Sequence, residues 1–140
     1  LNQGAARLAV EFGLRGGTDI TGYSLLGHSC EMAQSANVRV QFSLARVPFL
    51  PGARKYAEQW IFPGGAADNR LHFSPCVRFD PAIGEMEQML LFDPQTSGGL
   101  LLSVPPEILD TFLARAKEMD QPAWVIGEVF AGDSGVEVVA

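Results

Sequence analysis

The stretch "GGTDITGYSLLGH", from Gly16 to His28, decides how this chain is interpreted. One acid, Asp19, follows two glycines and stands between two threonines, ahead of a long apolar helical pattern. An Asp at such a place can accept backbone N–H bonds and cap a helix. It could equally supply one ligand to a magnesium site, which usually takes one or two carboxylates together with substrate phosphates. The local sequence leaves both interpretations open, and a metal site would need further acids from elsewhere.

Composition and charge narrow the classes of protein that fit. The chain has 140 residues, of which 47% are hydrophobic, so it is the size of one domain with its own core. The net charge is -6, with only 10 Lys and Arg residues, which argues against a nucleic-acid or anionic-membrane partner. No apolar run approaches the roughly 20 residues that span a bilayer, and no signal peptide is expected.

Two features of the sequence bear on the redox compartment of the protein and on whether the chain is part of a longer protein. Cys30 and Cys76 lie far apart without a CxxC partner, so we expect two separate, buried or half-buried thiols in a reducing cytosol. The opening "LNQGAARLAVEFGL" enters a helical pattern directly. We therefore expect residues 1–140 to be a single C-terminal domain of a longer protein whose remainder lies N-terminal.

Periodicity and turn residues predict alternating helices and strands. Helical patterns cover residues 4–13, 21–36, 52–59, 84–92 and 105–119, and strand patterns cover 38–44, 71–79, 100–104, 122–130 and 135–140. Gly16 and Gly17 are interpreted as a connection, and residues 61–70 and 93–99 as glycine-rich loops. Because helices interleave with strands throughout, the predicted fold class is α/β or α+β with one layered sheet.

Two glycine-bearing loops are candidates for binding an anion. "PGGAADN" contains Asp68, and "DPQTSGG" begins at Asp93. Bare backbone amides in such loops can approach a phosphate, but the same residues also make ordinary tight turns. The second loop places the polar side chains of Gln95, Thr96 and Ser97 between two apolar segments, which packing explains poorly. Loop residues held by a rigid scaffold often carry function.

Self-sufficient catalytic motifs are missing from the sequence. It contains no GxxxxGK(S/T) phosphate loop, no GxGxxG turn after a strand and no GxSxG elbow. His28 and His72 are not at metal-ligand spacing, and we expect both to be satisfied structural histidines. Asp19 and the two loops are therefore the candidates for chemistry.

Several segments of the sequence resemble one enzyme family. "TDITGYSLLGH" is similar to the TD-(I/V)-TG-(F/Y)-x-LLGH segment of selenophosphate synthetase, also called selenide, water dikinase. "VPFLPGARKYA", "FPGGAADN", "LLFDPQTSGGLLLSV" and "WVIGEV" resemble its following segments in the same order. The resemblance covers residues 4–130, and "DPQTSGGLL" is highly specific to this family. The wider superfamily includes aminoimidazole ribonucleotide synthetase, thiamine-monophosphate kinase and a hydrogenase-maturation protein.

The resemblance implies a fold and a division into domains. The chain matches only the C-terminal domain, a three-layer α/β/α unit with a mixed sheet, partly like a ferredoxin fold, as in aminoimidazole ribonucleotide synthetase. The family's N-terminal domain, absent from this chain, supplies a catalytic Cys or selenocysteine, a Lys, most ATP contacts, further magnesium-binding aspartates and most of a homodimer interface. We therefore expect its own N-terminal domain as a partner and no catalytic residue in this chain.

The resemblance also implies a reaction and roles for residues. The family is cytoplasmic and converts ATP, selenide and water to selenophosphate, AMP and phosphate. Selenophosphate is the selenium donor for the synthesis of selenocysteine and of selenium-modified tRNA. Asp19 then ligates Mg2+ held against the ATP phosphates, and Thr18 and Thr21 orient it through hydrogen bonds. The loop holding Gln95, Thr96 and Ser97 either closes over the active-site cleft or braces the domain interface. The fragment alone is expected to be inactive.

One position departs from the family's pattern. The family usually has Phe-Gly where this sequence has Tyr23 and Ser24. Ser at a positive φ would be strained, whereas Ser inside a helix is harmless. Because "YSLLGHSCEM" has a continuous helical pattern, we expect Ser24 to be helical and unstrained.

Two other interpretations stay open. The chain could be a non-catalytic module of the same fold that binds a partner or stabilises a dimer. It could also belong to another enzyme of the superfamily, such as one of the aminoimidazole ribonucleotide synthetase type, although the "DPQTSGG" loop speaks against this. A Cys or selenocysteine followed by Lys in an upstream glycine-rich stretch would support the enzyme over the module.

Overall fold

The computed structural model describes residues 2–140, which alternate between helices and strands. The helices are α1 (Gln3–Glu11), α2 (Ser24–Ala36), α3 (Ala53–Ala57), α4 (Gly64–Phe73), α5 (Glu85–Leu91) and α6 (Pro106–Glu118). The strands are β1 (Gly16–Asp19), β2 (Val38–Ser43), β3 (Val77–Phe79), β4 (Leu100–Ser103), β5 (Gly127–Ala131) and β6 (Gly135–Val139), with short 3-10 helices at Leu44–Arg46 and Ser74–Cys76. No helix in this part of the chain is both long and apolar enough to cross a membrane.

The strands form two sheets. β1 and β4 pair antiparallel as a small two-stranded sheet, and the other strands form a sheet in the order β3-β6-β2-β5. β6 is parallel to β3 and β2, whereas β5 is antiparallel to β2, so the larger sheet is mixed. The predicted α/β class with a mixed sheet is confirmed. The prediction of one layered sheet is wrong, because β1 and β4 form a sheet of their own instead of joining the larger one.

Two apolar clusters hold these elements together. In the larger cluster, Leu26 of α2 packs with Phe42 and Val138 of the large sheet, all almost fully buried. In the smaller cluster, Leu8 of α1 packs with Phe112 of α6. Burying each such side chain contributes about 1.5 to 3 kcal/mol, so both clusters stabilise the domain.

Segments with clear periodicity were predicted closely. The predicted helix 105–119 is α6, the predicted strand 38–44 is β2, and the predicted helix 84–92 is α5. α2 ends at Asn37, as predicted, because Asn37 adopts a left-handed conformation with φ 52° and closes the helix.

Glycine pairs misled the interpretation in two places. Gly16 and Gly17, predicted as a connection, form the first half of β1. A Cβ at Gly17 would lie 2.8 Å from the Cδ2 atom of Leu102, so a larger residue there would displace that side chain. Residues 61–70, predicted as a loop, contain the start of α4, because Gly64 and Gly65 form its first turn.

Four other predicted elements are shorter than expected. The helix predicted over 21–36 begins at Ser24, and the one predicted over 52–59 is only Ala53–Ala57. The strand predicted over 71–79 is a strand only from Val77, because α4 continues to Phe73 and a 3-10 turn containing Pro75 follows. The strand predicted over 122–130 begins at Gly127, where pairing with β2 starts.

The two cysteines are joined to each other. Cys30 of α2 and Cys76, which ends the 3-10 turn after α4, form a disulfide with their Cα atoms 6.2 Å apart. The prediction of two separate thiols is therefore wrong, and no free cysteine occurs among the described residues. The two cysteines are 46 residues apart in the sequence, so the sequence alone does not indicate that they are close. They come together because α2 and α4 pack against each other.

The disulfide predicts a reductant-dependent stability. Unfolded without reductant, the chain should show no reactive thiol, and after reduction it should show both. Because the bond closes a loop with a separation of 46 residues, reduction should lower the free energy of unfolding by about 4 kcal/mol. Thiol titration in denaturant and urea unfolding with and without reductant measure both effects. A double Cys→Ala variant is the control and should not respond to reductant; two thiols in the unreduced chain would contradict the pairing.

Candidate functional site

The pairing of β1 with β4 fixes the position of Asp19. Asp19 is the last residue of β1, opposite Leu100, and its side chain is exposed. The residue that precedes α2 as its N-cap is Tyr23, without a side-chain capping bond, so Asp19 does not cap this helix. Within residues 2–140 the Asp19 carboxylate makes no side-chain hydrogen bond and is free to accept a ligand.

Backbone hydrogen bonds continue beyond the strands and join the two sequence segments singled out above. The Ile20 N–H donates to the Gly99 carbonyl (2.9 Å), and the Gly98 N–H donates to the Ile20 carbonyl (2.8 Å). One residue further on, the Gln95 N–H donates to the Thr21 carbonyl (3.1 Å). The Asp19 segment and the loop 93–99 therefore form one structural unit.

Gly98 is required by this close approach. A Cβ at Gly98 would lie 2.9 Å from the Ile20 carbonyl oxygen and 2.8 Å from its Cγ2 atom. Real Cβ atoms essentially never come this close, so a larger residue would push the loop away from the Asp19 segment. The glycine in this part of "DPQTSGG" thus has a packing role in addition to any ligand role.

The first half of the loop is held by its own polar groups. The Gln95 amide Nε2 donates to the Asp93 carboxylate (2.8 Å) and to its backbone carbonyl (3.0 Å). Burial raises the pKa of Asp93, and the hydrogen bond from Gln95 opposes that rise because it stabilises the carboxylate. Pro94 lies against α4, where a Cβ at Gly65 would be 3.2 Å from its Cγ atom.

The remaining loop side chains differ in their surroundings. Gln95 and Ser97, together with Asp93, line a cavity of about 720 Å³ whose other walls are mostly apolar. Thr96 is exposed and is not part of this lining. Of the three polar residues in this row, Gln95 is half-buried at the cavity wall, Ser97 is exposed at its edge, and Thr96 is exposed away from it. Asp68, the acid of the other predicted loop, lies exposed on α4.

The threonines beside Asp19 bond to groups other than its carboxylate. The Thr18 hydroxyl donates to the backbone carbonyl of Asp19 (3.2 Å). The Thr21 hydroxyl lies 3.0 Å from His28 Nε2, and the Tyr23 N–H also donates to that nitrogen (3.4 Å). Nε2 is therefore an acceptor, so Thr21 donates to it and Nδ1–H donates to Glu31 (3.1 Å). His28 holds the turn after Asp19, as expected of a structural histidine.

Asn69 is a residue of the site that the sequence interpretation missed. Its side chain is only 7% exposed, and its Nδ2 donates to the Gly22 carbonyl (2.9 Å) and to the Phe92 carbonyl (3.1 Å). Gly22 belongs to the turn after Asp19, and Phe92 immediately precedes the loop. The available signal was the last letter of "PGGAADN", but the prediction of a loop there concealed that Asn69 lies on a helix.

Ser24 corrects another expectation. It begins α2 with φ 68°, in the left-handed region, although the sequence predicted an ordinary helical conformation. The side chain is fully buried, and its hydroxyl accepts only a long hydrogen bond from the Gly27 N–H (3.5 Å). A left-handed conformation costs an L-residue about 1 to 2 kcal/mol, so Ser24 is strained where the resembling family usually has Gly.

The described residues do not form a complete metal site. Among residues 2–140 no group of three or more His, Cys, Asp or Glu side chains could hold a metal ion together. Asp19 can therefore act only as one ligand among others that come from outside this part of the chain. What the geometry does supply is an exposed carboxylate at the end of a fixed strand, next to a glycine-rich loop.

Comparison with protein families identifies the class to which this chain belongs. The family model described as "AIR synthase related protein, C-terminal domain" matches residues 2–140. The chain therefore belongs to this family, as the resemblance in its sequence predicted.

Curated relatives narrow the comparison to one named enzyme. The chain is 38% identical over 140 residues to selenide, water dikinase of Geobacter metallireducens, covering 100% of this chain and 40% of that protein. It is 40% identical over 140 residues to selenide, water dikinase of Burkholderia ambifaria, covering 99% of this chain and 39% of that protein. The predicted resemblance is thus confirmed. The chain spans about 40% of the length of these relatives.

Solved structures support the fold. Thiamine-monophosphate kinase from Stenotrophomonas maltophilia superposes with a TM-score of 0.59 at 17% identity, covering 93% of this chain and 32% of that one. The protein tt0281 from Thermus thermophilus also gives 0.59, at 21% identity, covering 94% of this chain and 33% of that one. At such identities the likeness concerns the fold alone.

The strain at Ser24 predicts an order of stabilities. Ser24→Gly should be more stable than Ser24→Ala by about 1 kcal/mol, because only glycine adopts a positive φ without cost. In an ordinary helical position the order is reversed, since glycine costs about 1 kcal/mol relative to alanine. Urea unfolding of both variants measures the difference. Ser35, exposed within the same helix, is the matched control, and its alanine variant should be the more stable. The same order at both positions would contradict a left-handed Ser24.

Proposed function

We propose that this chain is the C-terminal domain of a selenophosphate synthetase, which makes selenophosphate, AMP and phosphate from ATP, selenide and water. The observation that carries the proposal is the junction between the Asp19 segment and the loop 93–99, made by backbone bonds at Ile20 and Thr21. The loop most specific to that enzyme is thereby held directly beside the candidate metal ligand. Similarity across the whole chain to proteins named selenide, water dikinase supports the same assignment.

A magnesium ion fits the donor chemistry of Asp19. Magnesium prefers oxygen ligands and is usually bound by one or two carboxylates together with substrate phosphates. The exposed Asp19 carboxylate, with no competing side-chain bond among the described residues, suits this role as a single ligand. When bound, the ion offsets charge on the phosphate oxygens.

The residues around Asp19 serve it indirectly. Thr18 binds the Asp19 backbone carbonyl, and Thr21 is tied through His28 to α2, so both threonines hold the strand end that carries the carboxylate. We assign Gln95, Thr96 and Ser97 to the loop that borders the cleft between this domain and its neighbour. Two of these residues, Gln95 and Ser97, line the cavity, which supports a role at that interface.

The rest of the machinery is proposed to lie in the upstream domain. Proteins named selenide, water dikinase are more than twice as long as this chain, which leaves room for a second domain. We assign to it the nucleophile, most ATP contacts, the further magnesium ligands and the homodimer interface, and we propose a cytoplasmic enzyme that binds no nucleic acid and no membrane. The disulfide between Cys30 and Cys76 is unusual for that compartment, where thiols are mostly kept reduced.

Asp19→Asn tests the metal role in the full-length protein. The variant should keep its fold but lose Mg2+-dependent ATP turnover in the presence of selenide by several orders of magnitude, because the ligand charge beside the phosphates is removed. Asp110→Asn, on the exposed face of α6, is the matched control and should retain activity. Turnover of the Asp19 variant near that of the wild type at saturating Mg2+ would remove Asp19 from the metal site.

The isolated chain offers a second test. Residues 1–140 should fold alone, since both apolar clusters lie within them. They should bind Mg-ATP with millimolar affinity or weaker and make no selenophosphate, because affinity depends on simultaneous contacts from preorganised groups and this chain supplies one carboxylate. Titration calorimetry with Mg-ATP measures the affinity. A micromolar dissociation constant would move the nucleotide site into this domain.

A further inference from the structure

Asn69 is a buried amide whose two bonds join the halves of the candidate site. Its Nδ2 group donates one hydrogen bond to the Gly22 carbonyl and one to the Phe92 carbonyl, across sequence separations of 47 and 23 residues. Both partners are backbone oxygens, which only accept, so the group facing them must carry two N–H bonds. The side-chain amide of Asn meets this requirement, and the equally large carboxylate of Asp does not.

The two carbonyls belong to the segments that matter for the site. Gly22 lies in the turn that follows Asp19 and Thr21, and Phe92 immediately precedes the loop that begins at Asp93. Among the side-chain hydrogen bonds of residues 2–140, those of Asn69 are the ones that reach both segments. The backbone bonds and the buried Asn69 amide therefore hold this junction together.

Helix α4 holds the Asn69 side chain in a fixed position. Gly65 brings the helix against Pro94 of the loop, and Phe73, at the other end of the helix, packs against Gly27 of α2. The Tyr23 and Phe73 rings also pack edge to face with their centroids 5.5 Å apart. The helix therefore contacts both the loop and the turn, and Asn69 lies between these contacts.

We propose that Asn69 is a positioning residue that sets the location of the turn after Asp19 relative to the loop 93–99. The consequence for metal binding rests on the proposed function, whereas the consequence for the loop does not. Substituting groups that orient a metal ligand commonly costs about 10- to 100-fold in metal affinity or activity. Substituting a residue that only stabilises the fold would change neither the metal affinity nor the activity of the folded protein.

Asn69→Asp is the sharpest variant, since it keeps the size of the side chain and removes both donors. In the full-length protein we expect the Mg2+ concentration for half-maximal ATP turnover with selenide to rise about 10- to 100-fold. We also expect faster hydrogen exchange at the N–H groups of Gln95 and Gly98, which donate to the Asp19 segment. Asn69→Ser keeps one donor and should give a smaller shift of both quantities.

Two controls separate positioning from stability and charge. Ala116→Gly lowers stability through the cluster between α1 and α6, makes none of the bonds described and does not line the cavity beside Gln95, so it should leave the Mg2+ dependence unchanged. Ala67→Asp adds a carboxylate to an exposed position of α4 and should also leave it unchanged. If Asn69→Asp fails to fold, Asn69→Ser is compared with Ala116→Gly instead, each measured at the same interval below its own melting temperature.

The outcomes distinguish this inference from the proposed function. Faster exchange at Gln95 and Gly98 with a shifted Mg2+ dependence supports the inference. Exchange rates equal to those of the Ala116→Gly control overturn it, whatever the enzyme does. If the wild-type protein shows no selenide-dependent ATP turnover, the proposed function fails, and the exchange measurement alone still decides whether Asn69 positions the loop.

Discussion

The short backbone ladder between β1 and β4 is the interaction on which the rest of the site depends. A strand of four residues cannot stay ordered alone, and its N–H and C=O groups must be paired where they are buried. β4 supplies these partners, and the bonds at Ile20 and Thr21 extend the ladder into the loop. Asp19 therefore has a fixed place because residues far along the chain hold its backbone. The side chains around it refine that place and do not create it.

How much could be predicted depended on whether the signal was local. α6, β2 and α5 were predicted because periodicity and end signals lie within each segment. Asp19 and the loop 93–99 were selected as candidates from local composition, and the structure places them side by side. The Gly64–Gly65 pair was misinterpreted because glycine commonly indicates a loop, whereas here Gly65 lies on a helix that packs against Pro94. Sequence periodicity alone cannot reveal that contact.

Features that depend on distant partners were missed for the same physical reason. The pairing of Cys30 with Cys76 and the bonds of Asn69 exist only once α2 and α4 have packed together. The left-handed conformation of Ser24 follows from the turn that brings the chain from β1 into α2, and its helical neighbours gave no sign of it. The resemblance to a family with Gly at this position was the one available warning.

The order of the elements along the chain has a consequence for synthesis. β1 ends at Asp19 and its partner β4 begins only at Leu100, so at roughly 5 to 20 residues per second the emerging strand waits several seconds for its partner. During that time its backbone is an open edge on which another chain could pair. Its residues are Gly, Gly, Thr and Asp, which carry little apolar surface, and glycine and aspartate favour strands poorly. The same composition that leaves a carboxylate exposed at the end of β1 thus protects the nascent chain from aggregation.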